Sequence, residues 1–132
     1  MKTLDKIVLP DDRRYTDEHI WIKKDGDSYL CGISDFAQDQ LGEVVYIELP
    51  SAGDTFDAGV PYGEVESIKS VNKLFTPVKA EVIAANTALE DAPATLNEDC
   101  YTKAWIVRLK VENEADIDGL LTADAYRAFL NK

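Results

Sequence analysis

No stretch of this chain holds an apolar pattern long enough for a large helix. Short β-forming runs follow one another instead, each broken by turn residues about every 8–12 positions, a spacing that predicts a sandwich or barrel. Residues 19–23, His19 to Lys23, are rich in β-formers, and the following Asp25-Gly26 is a strong hairpin signal. Residues 28–33 read as the returning strand. Ser34 is suited to cap a short helix through Leu41, with Gly42 placed to end it. Further strands are predicted over 43–49, 60–68, 74–78, 80–85 and 104–111. In the last, Trp105, Val107, Leu109 and Val111 fall on one face by alternation. Residues 86–99 read as a loop with a helical turn starting near Pro93. A helix capped by Asn113 runs to Leu120, and a second runs from Thr122 to Leu130.

The 132 residues have room for one sizeable core, so residues 1–132 are expected to form a single domain. Its β core would span about 15–112, and a helical segment about 113–131. An apolar share of 45% with 30% charged residues is a globular balance. Fourteen Lys plus Arg against 25 Asp plus Glu leave a net charge of −11. Such a surface repels phosphate backbones and anionic lipid, which argues against nucleic-acid and membrane roles and suits a basic patch on a partner protein. No apolar run approaches the roughly 18 residues of a spanning helix. Asp5, Asp11 and Asp12 near the N-terminus, without an apolar core segment, argue against a secretory signal or transit peptide. A cytoplasmic location is expected, or that of a mature organelle protein.

Candidate chemistry is sparse. His19 is the single histidine, so a Ser-His-Asp or Cys-His base has one possible source. It precedes an apolar strand, where a partly packed strand-edge ring is expected. Cys31 and Cys100 are far apart with no C-x-x-C, which fits a reducing compartment rather than a disulfide scaffold. Cys31 sits among apolar neighbours and reads as a buried inert thiol; Cys100 lies in a polar loop and reads as exposed. One histidine and two distant cysteines make a structural zinc improbable. The carboxylates are scattered as on a solvated surface, and no glycine pattern cradles phosphate. These readings assign no catalytic residue and no metal ligand.

One segment stands apart. Gly63-Glu64-Val65-Glu66-Ser67-Ile68-Lys69-Ser70 and Leu74-Phe75-Thr76-Pro77-Val78 place two strand-like stretches around a polar tip that holds a lysine. A turn lysine alone is a weak signal. The whole chain, however, resembles the H proteins of the glycine cleavage system. Tyr15-Thr16-Asp17-Glu18-His19-Ile20-Trp21 resembles the family's Y-T-x-x-H-E-W, and Gly32 to Gly42 resembles G-I-T-D-Y-A-Q-x-x-L-G. Leu49-Pro50 with Gly53-Asp54 resembles L-P-x-x-G-D, and residues 63–70 resemble G-x-V-E-S-V-K-A/S. Leu74 to Val78 with Glu81-Val82, Asn97-Glu98-Asp99, and Leu120-Leu121 with Tyr126 continue the match in one register over roughly residues 10–130.

The resemblance implies a mainly β barrel-sandwich hybrid, the flattened barrel of lipoyl and biotinyl domains, with short flanking helices. It implies lipoic acid bound covalently to Lys69, and recognition of the lysine hairpin through Glu66, Ser67, Ile68 and Ser70. It implies an arm cleft formed by Glu18, His19, Ile20, Phe36 and Lys73. The implied role is a carrier, not an enzyme. It would serve a pyridoxal-phosphate glycine decarboxylase, a tetrahydrofolate-dependent aminomethyltransferase, dihydrolipoamide dehydrogenase and a lipoate-attaching enzyme, as a monomer.

Departures accompany the match. Ile20 stands where the family has Glu, and Lys73 where it usually has Asp. The family's acidic groups there are associated with sheltering a cationic, aminomethyl-loaded arm, which a lysine would repel. Glu18, two residues from Ile20, would share its side on a regular strand and is a possible substitute. Lys79-Ala80 replaces Ser-Gly and removes a residue suited to positive φ. The alternative expectation is therefore an H-like carrier that serves another lipoate-dependent pathway or lipoate transfer.

Overall fold

The computed structural model describes residues 2–131. A 3₁₀ turn at Leu4–Lys6 precedes β1 (Arg14–Tyr15), β2 (Ile20–Asp25) and β3 (Ser28–Ile33). Helix α1 (Asp35–Leu41) leads into β4 (Val44–Glu48), β5 (Thr55–Phe56), β6 (Pro61–Ser67), β7 (Val71–Phe75) and β8 (Ala80–Ala85). Single helical turns α2 (Ala88–Asp91) and α3 (Thr95–Glu98) come before β9 (Val107–Val111), followed by α4 (Ala115–Asp118) and α5 (Ala123–Leu130).

The strands form two antiparallel sheets, one ordered β1-β2-β3-β9-β8-β5 and one ordered β4-β6-β7. Both sheets feed one apolar cluster. Ile22, Cys31, Val82 and Leu109 enter it from the larger sheet, and Ile47, Val65 and Leu74 from the smaller. Each such side chain, once fully buried, contributes roughly 1.5–3 kcal/mol. The mainly β, two-layer expectation holds.

Strand β2 explains why its sequence does not alternate cleanly between apolar and polar. Ile20 and Ile22 point into the inter-sheet cluster, whereas Trp21, 0% exposed, belongs to a second cluster with Tyr15, Ala123 and Tyr126. Helix α5 covers that outer face, with Tyr15 and Tyr126 stacked at 4.9 Å between ring centroids. The β2–β3 hairpin forms at the Asp-Gly signal but one residue further on: Asp25 pairs with Ser28, so Gly26-Asp27 are the two turn residues, with Gly26 at φ 65.

Some local expectations are corrected. The strand expected over 74–78 lies instead at Val71–Phe75, where it pairs with β6. Pro77 lacks an amide donor and falls in the turn beyond it. Trp105 does not share a face with Val107 and Leu109. It precedes β9 and packs against the second cluster, while those two join the main one. The helix expected over 113–120 shrinks to the single turn α4, although Asn113 Oδ1 does accept from the Ala115 amide at its start. Cys100 is buried, at 6% exposed, and burial pushes its thiol up to about 12. Lys79 and Ala80 have negative φ, so that site makes no demand for glycine in this chain.

Candidate functional site

The turn between β6 and β7 consists of Ile68, Lys69 and Ser70. Its shape comes from Ser67, the last residue of β6. Ser67 Oγ accepts from the amides of both Lys69 and Ser70, each at 3.2 Å, and the Ser67 amide donates to the Ser70 carbonyl at 2.8 Å. A side-chain oxygen taking up neighbouring amides is the usual way a serine stabilises a tight turn. The Ile68 amide donates to the Glu43 carbonyl at 3.1 Å, tying the tip to the segment that enters β4. These bonds make the tip stiff.

Lys69 is exposed on this tip, and no carboxylate lies within ion-pairing distance of its amine among the described residues. Its aliphatic stem rests over Gly42, the residue that ends α1. A Cβ added to Gly42 would lie 3.2 Å from Lys69 Cε, and Gly42 has φ 74. Glycine is thus favoured twice here, by backbone conformation and by the lysine stem. The amine stays solvated. Of the other turn residues singled out from the sequence, Ile68 is 72% exposed, Ser70 is exposed, and Glu66 is half-buried on β6.

A cleft of about 420 Å³ opens at Ser70 and runs beside β7, one of the two edge strands of the smaller sheet. Glu18, His19, Ile20, Phe36 and Lys73 all line it, so the five dispersed sequence positions are brought onto one concave surface. Gln40, Asn72 and Leu74 also line it and were not singled out from the sequence. Their proximity depends on α1 packing across from β7, which no local pattern encodes. Ile20 lies at the cleft floor, 1% exposed, and is also part of the main core. A second, mainly apolar groove of about 430 Å³ adjoins at Glu18 and Phe75 and is walled by Pro77, Leu121 and Phe129.

His19 stands directly before β2 with its ring half-buried, as expected, but its backbone is not extended. Its φ is 68, and among the described residues it is the one non-glycine position with positive φ. The break in alternation separates exposed Glu18 from buried Ile20. His19 Nδ1 lies 2.7 Å from the Tyr126 hydroxyl, which is 2.8 Å from Ser34 Oγ. The imidazole also meets Phe36 at 5.0 Å between centroids. Burial lowers the His19 pKa, against the opposing pull of Glu18 and Asp17. The ring is accordingly neutral at pH 7. Among the described residues no group of three or more His, Cys, Asp or Glu could hold a metal ion.

A two-sheet flattened barrel that presents an unpaired lysine on a stiff hairpin tip defines a class, the lipoyl-type barrel-sandwich fold. A glycine cleavage system H protein from Mycobacterium marinum, known from its crystal structure, shares the fold with a TM-score of 0.86. It is 35% identical over 94% of this chain and 100% of its own. The family model described as glycine cleavage H-protein matches residues 13–132. Among curated relatives, glycine cleavage system H proteins of Anaeromyxobacter sp. (strain K) and Magnetococcus marinus are 45% and 48% identical over 124 and 122 residues. These alignments span 94% and 92% of this chain and 97% and 87% of the relatives. The Listeria monocytogenes (strain HCC23) H protein is 46% identical over 93% of this chain and 98% of its own. This chain belongs to the glycine cleavage H-protein family. No helix among the described residues is long and apolar enough to cross a membrane.

Proposed function

We propose that this chain is the lipoyl-carrying component of a glycine cleavage system, with lipoic acid joined to Lys69 as an amide. One observation carries the reading: the Lys69 amine is exposed and unpaired on a tip pinned by Ser67 and Glu43, with a cleft opening beside it. A modifying enzyme must surround the amine, and each later partner must reach the same arm; a protruding turn on a rigid scaffold allows both. The attached group supplies a disulfide through which partner enzymes load and unload a one-carbon unit.

The chain's own residues position and expose. Ser67 fixes the direction in which Lys69 leaves the barrel, and Gly42 gives its stem a smooth bed. Glu66, Ile68 and Ser70 flank the amine and would present the hairpin to the lipoate-attaching enzyme. Tethering raises the local concentration of the arm at a docked partner. The partners proposed are the pyridoxal-phosphate decarboxylase that gives an aminomethyl group, the tetrahydrofolate-dependent aminomethyltransferase that takes it, and dihydrolipoamide dehydrogenase. In this reading the chain itself catalyses no step. Expression with a lipoate ligase is expected to add the mass of one lipoyl amide, and reconstitution with the partner enzymes to give glycine–bicarbonate exchange. An unmodified chain, or a modified chain without exchange, counts against the reading.

A second reading, an H-like carrier for another lipoate-dependent pathway, is favoured by Lys73 on the cleft wall and Ile20 on its floor. It predicts the same modification with poor exchange, raised by Lys73→Asp. Ile20→Glu is a poor companion change, because position 20 would bury a carboxylate in the main core.

A further inference from the structure

The outer face of the smaller sheet differs from the rest of the surface. The described residues expose seven large apolar side chains, and four of them, Val45, Tyr46, Ile68 and Val71, stand at the end of this sheet that carries the Lys69 turn. Tyr46, Glu66 and Val71 are direct cross-strand partners on β4, β6 and β7, so they form one row on one face. Ile47 and Val65, the pair one step along, are buried, which turns the Tyr46 row outward by alternation. Val45 is the extra residue where the β4–β6 register shifts, and it is exposed as well. Bulges re-aim side chains in this way. Single exposed valines are ordinary on strands. A cluster that joins three strands and a turn is not, and such patches mark contact surfaces.

The charges around the patch are mainly negative. Glu66 lies half-buried between Tyr46 and Val71, and the next row sets Glu48 against Glu64. Glu43 lies beside the turn, its carbonyl accepting from the Ile68 amide. None of these four carboxylates has a cation within ion-pairing distance among the described residues, Lys73 opposite Glu64 included. A second copy of the chain does not fit such a face: the net charge is −11, and two copies would bring like carboxylates together. The complementary surface is apolar at its centre and carries an arginine or lysine to meet Glu66. Proximity then selects the occupant. An enzyme that acylates Lys69 forms its bond at Nζ and must close over the turn itself, whereas an enzyme that works on the far end of an attached arm is held off by the arm's length. Ile68 directly precedes Lys69, and Val71 lies two residues beyond it.

We propose that Val45, Tyr46, Ile68 and Val71, with Glu66 at their centre, form the docking face for the lipoate-attaching enzyme, which meets them with an apolar surface bearing a cation opposite Glu66. The inference rests on Lys69 being the attachment site. It adds β4, which lies outside the lysine hairpin, to what that enzyme reads. Tyr46 supplies the largest contact, an aromatic ring that loses little freedom when covered.

The test titrates the unmodified full chain against a lipoate ligase supplied with ATP and lipoic acid, with initial rates of acylation read by intact mass. Tyr46→Ser and Val71→Ser are each expected to raise KM for the chain about fivefold with kcat kept, and Glu66→Lys to raise it further. Ile83→Ser removes a comparably exposed apolar side chain from the larger sheet and is expected to keep the wild-type KM. The wild-type KM is expected to rise with salt, which screens the contact at Glu66. Urea midpoints close to wild type confirm that the variants are folded. A wild-type KM in Tyr46→Ser, or an equal rise in Ile83→Ser, overturns the proposal and leaves the carrier reading standing. An equal rise in KM for glycine–bicarbonate exchange, measured on variants loaded beforehand, assigns the face to an arm-using enzyme and overturns it too. So does a wild-type dimer in sedimentation that Tyr46→Ser dissolves. A wild-type chain that takes no arm overturns the carrier reading and this one with it.

Discussion

Two exposed lysines ten residues apart sit in successive connections between strands and differ in almost everything except exposure. Lys69, between β6 and β7, has no carboxylate within ion-pairing distance among the described residues, and its turn is held by Ser67. Lys79, just before β8, is 3.2 Å from Glu112 and 3.9 Å from Asp57. The hydrogen bond and charge of Glu112 raise the Lys79 pKa, with Asp57 adding to it. Accessibility alone therefore does not make a lysine an acceptor. On the proposed attachment at Lys69, the unpaired amine on a pinned turn is the better acceptor, because the free base is the nucleophile and a neighbouring carboxylate holds the proton in place.

The largest expected effect breaks the comparison outright. Lys69→Arg should abolish acylation by a lipoate ligase, whereas Lys79→Arg should leave it unchanged, both read by intact mass. If Lys79 took up the arm in the Lys69→Arg protein, the contrast between the turns would be void.

Next comes the glycine bed. Gly42→Val forces a β-branched residue to φ 74 and pushes its Cβ toward Lys69 Cε. Loss of about 1–3 kcal/mol in urea unfolding is expected from the backbone. Slower acylation is expected as well. Gly59→Val meets the same backbone penalty at φ 82, but a Cβ there has nothing within 4 Å, so acylation should keep its rate. Equal loss of acylation in both variants would remove Gly42 from the site.

Smaller still is Ser67→Ala, which strips an acceptor from the amides of Lys69 and Ser70. About 1 kcal/mol of local stability should go, read as roughly fivefold faster amide exchange at those two residues. The Lys79 turn should not respond.

What the sequence disclosed follows the range of the forces involved. Helix α1 was legible because both of its ends are local: Ser34 Oγ accepts from Ala37, and Gly42 takes the positive φ that ends the helix. The same holds for α5 with Thr122 and for the Asp-Gly hairpin. Lys69 stood out through its flanking strands and the resemblance those strands carry. The conformation of His19 was not legible, because its partner Tyr126 lies 107 positions away. Nor was the place of Trp105, which pattern assigns to one face and packing assigns to the other cluster. The cleft needs α1, the entry to β2, and β7 at once, so no local pattern joins its positions, and the five named from the sequence came through the resemblance alone.

The smallest effect belongs to Lys79→Met, and its pH dependence sharpens the contrast. A group whose pKa is raised in the folded state lends stability that is fully present below its unfolded value and disappears as pH climbs through the folded one. The ordinary value is 10.5, so the Glu112 pairing acts across the whole neutral range. Both partners are exposed, and exposed pairs are strongly screened, so the urea midpoint of Lys79→Met should fall only slightly at pH 7. The wild-type advantage should shrink further in high salt and vanish once the lysine deprotonates. A large salt-insensitive loss would mean that the Lys79 stem packs as a structural element. The two turns would then differ in architecture as well as in charge, and ion pairing would no longer suffice to separate an acceptor lysine from an inert one.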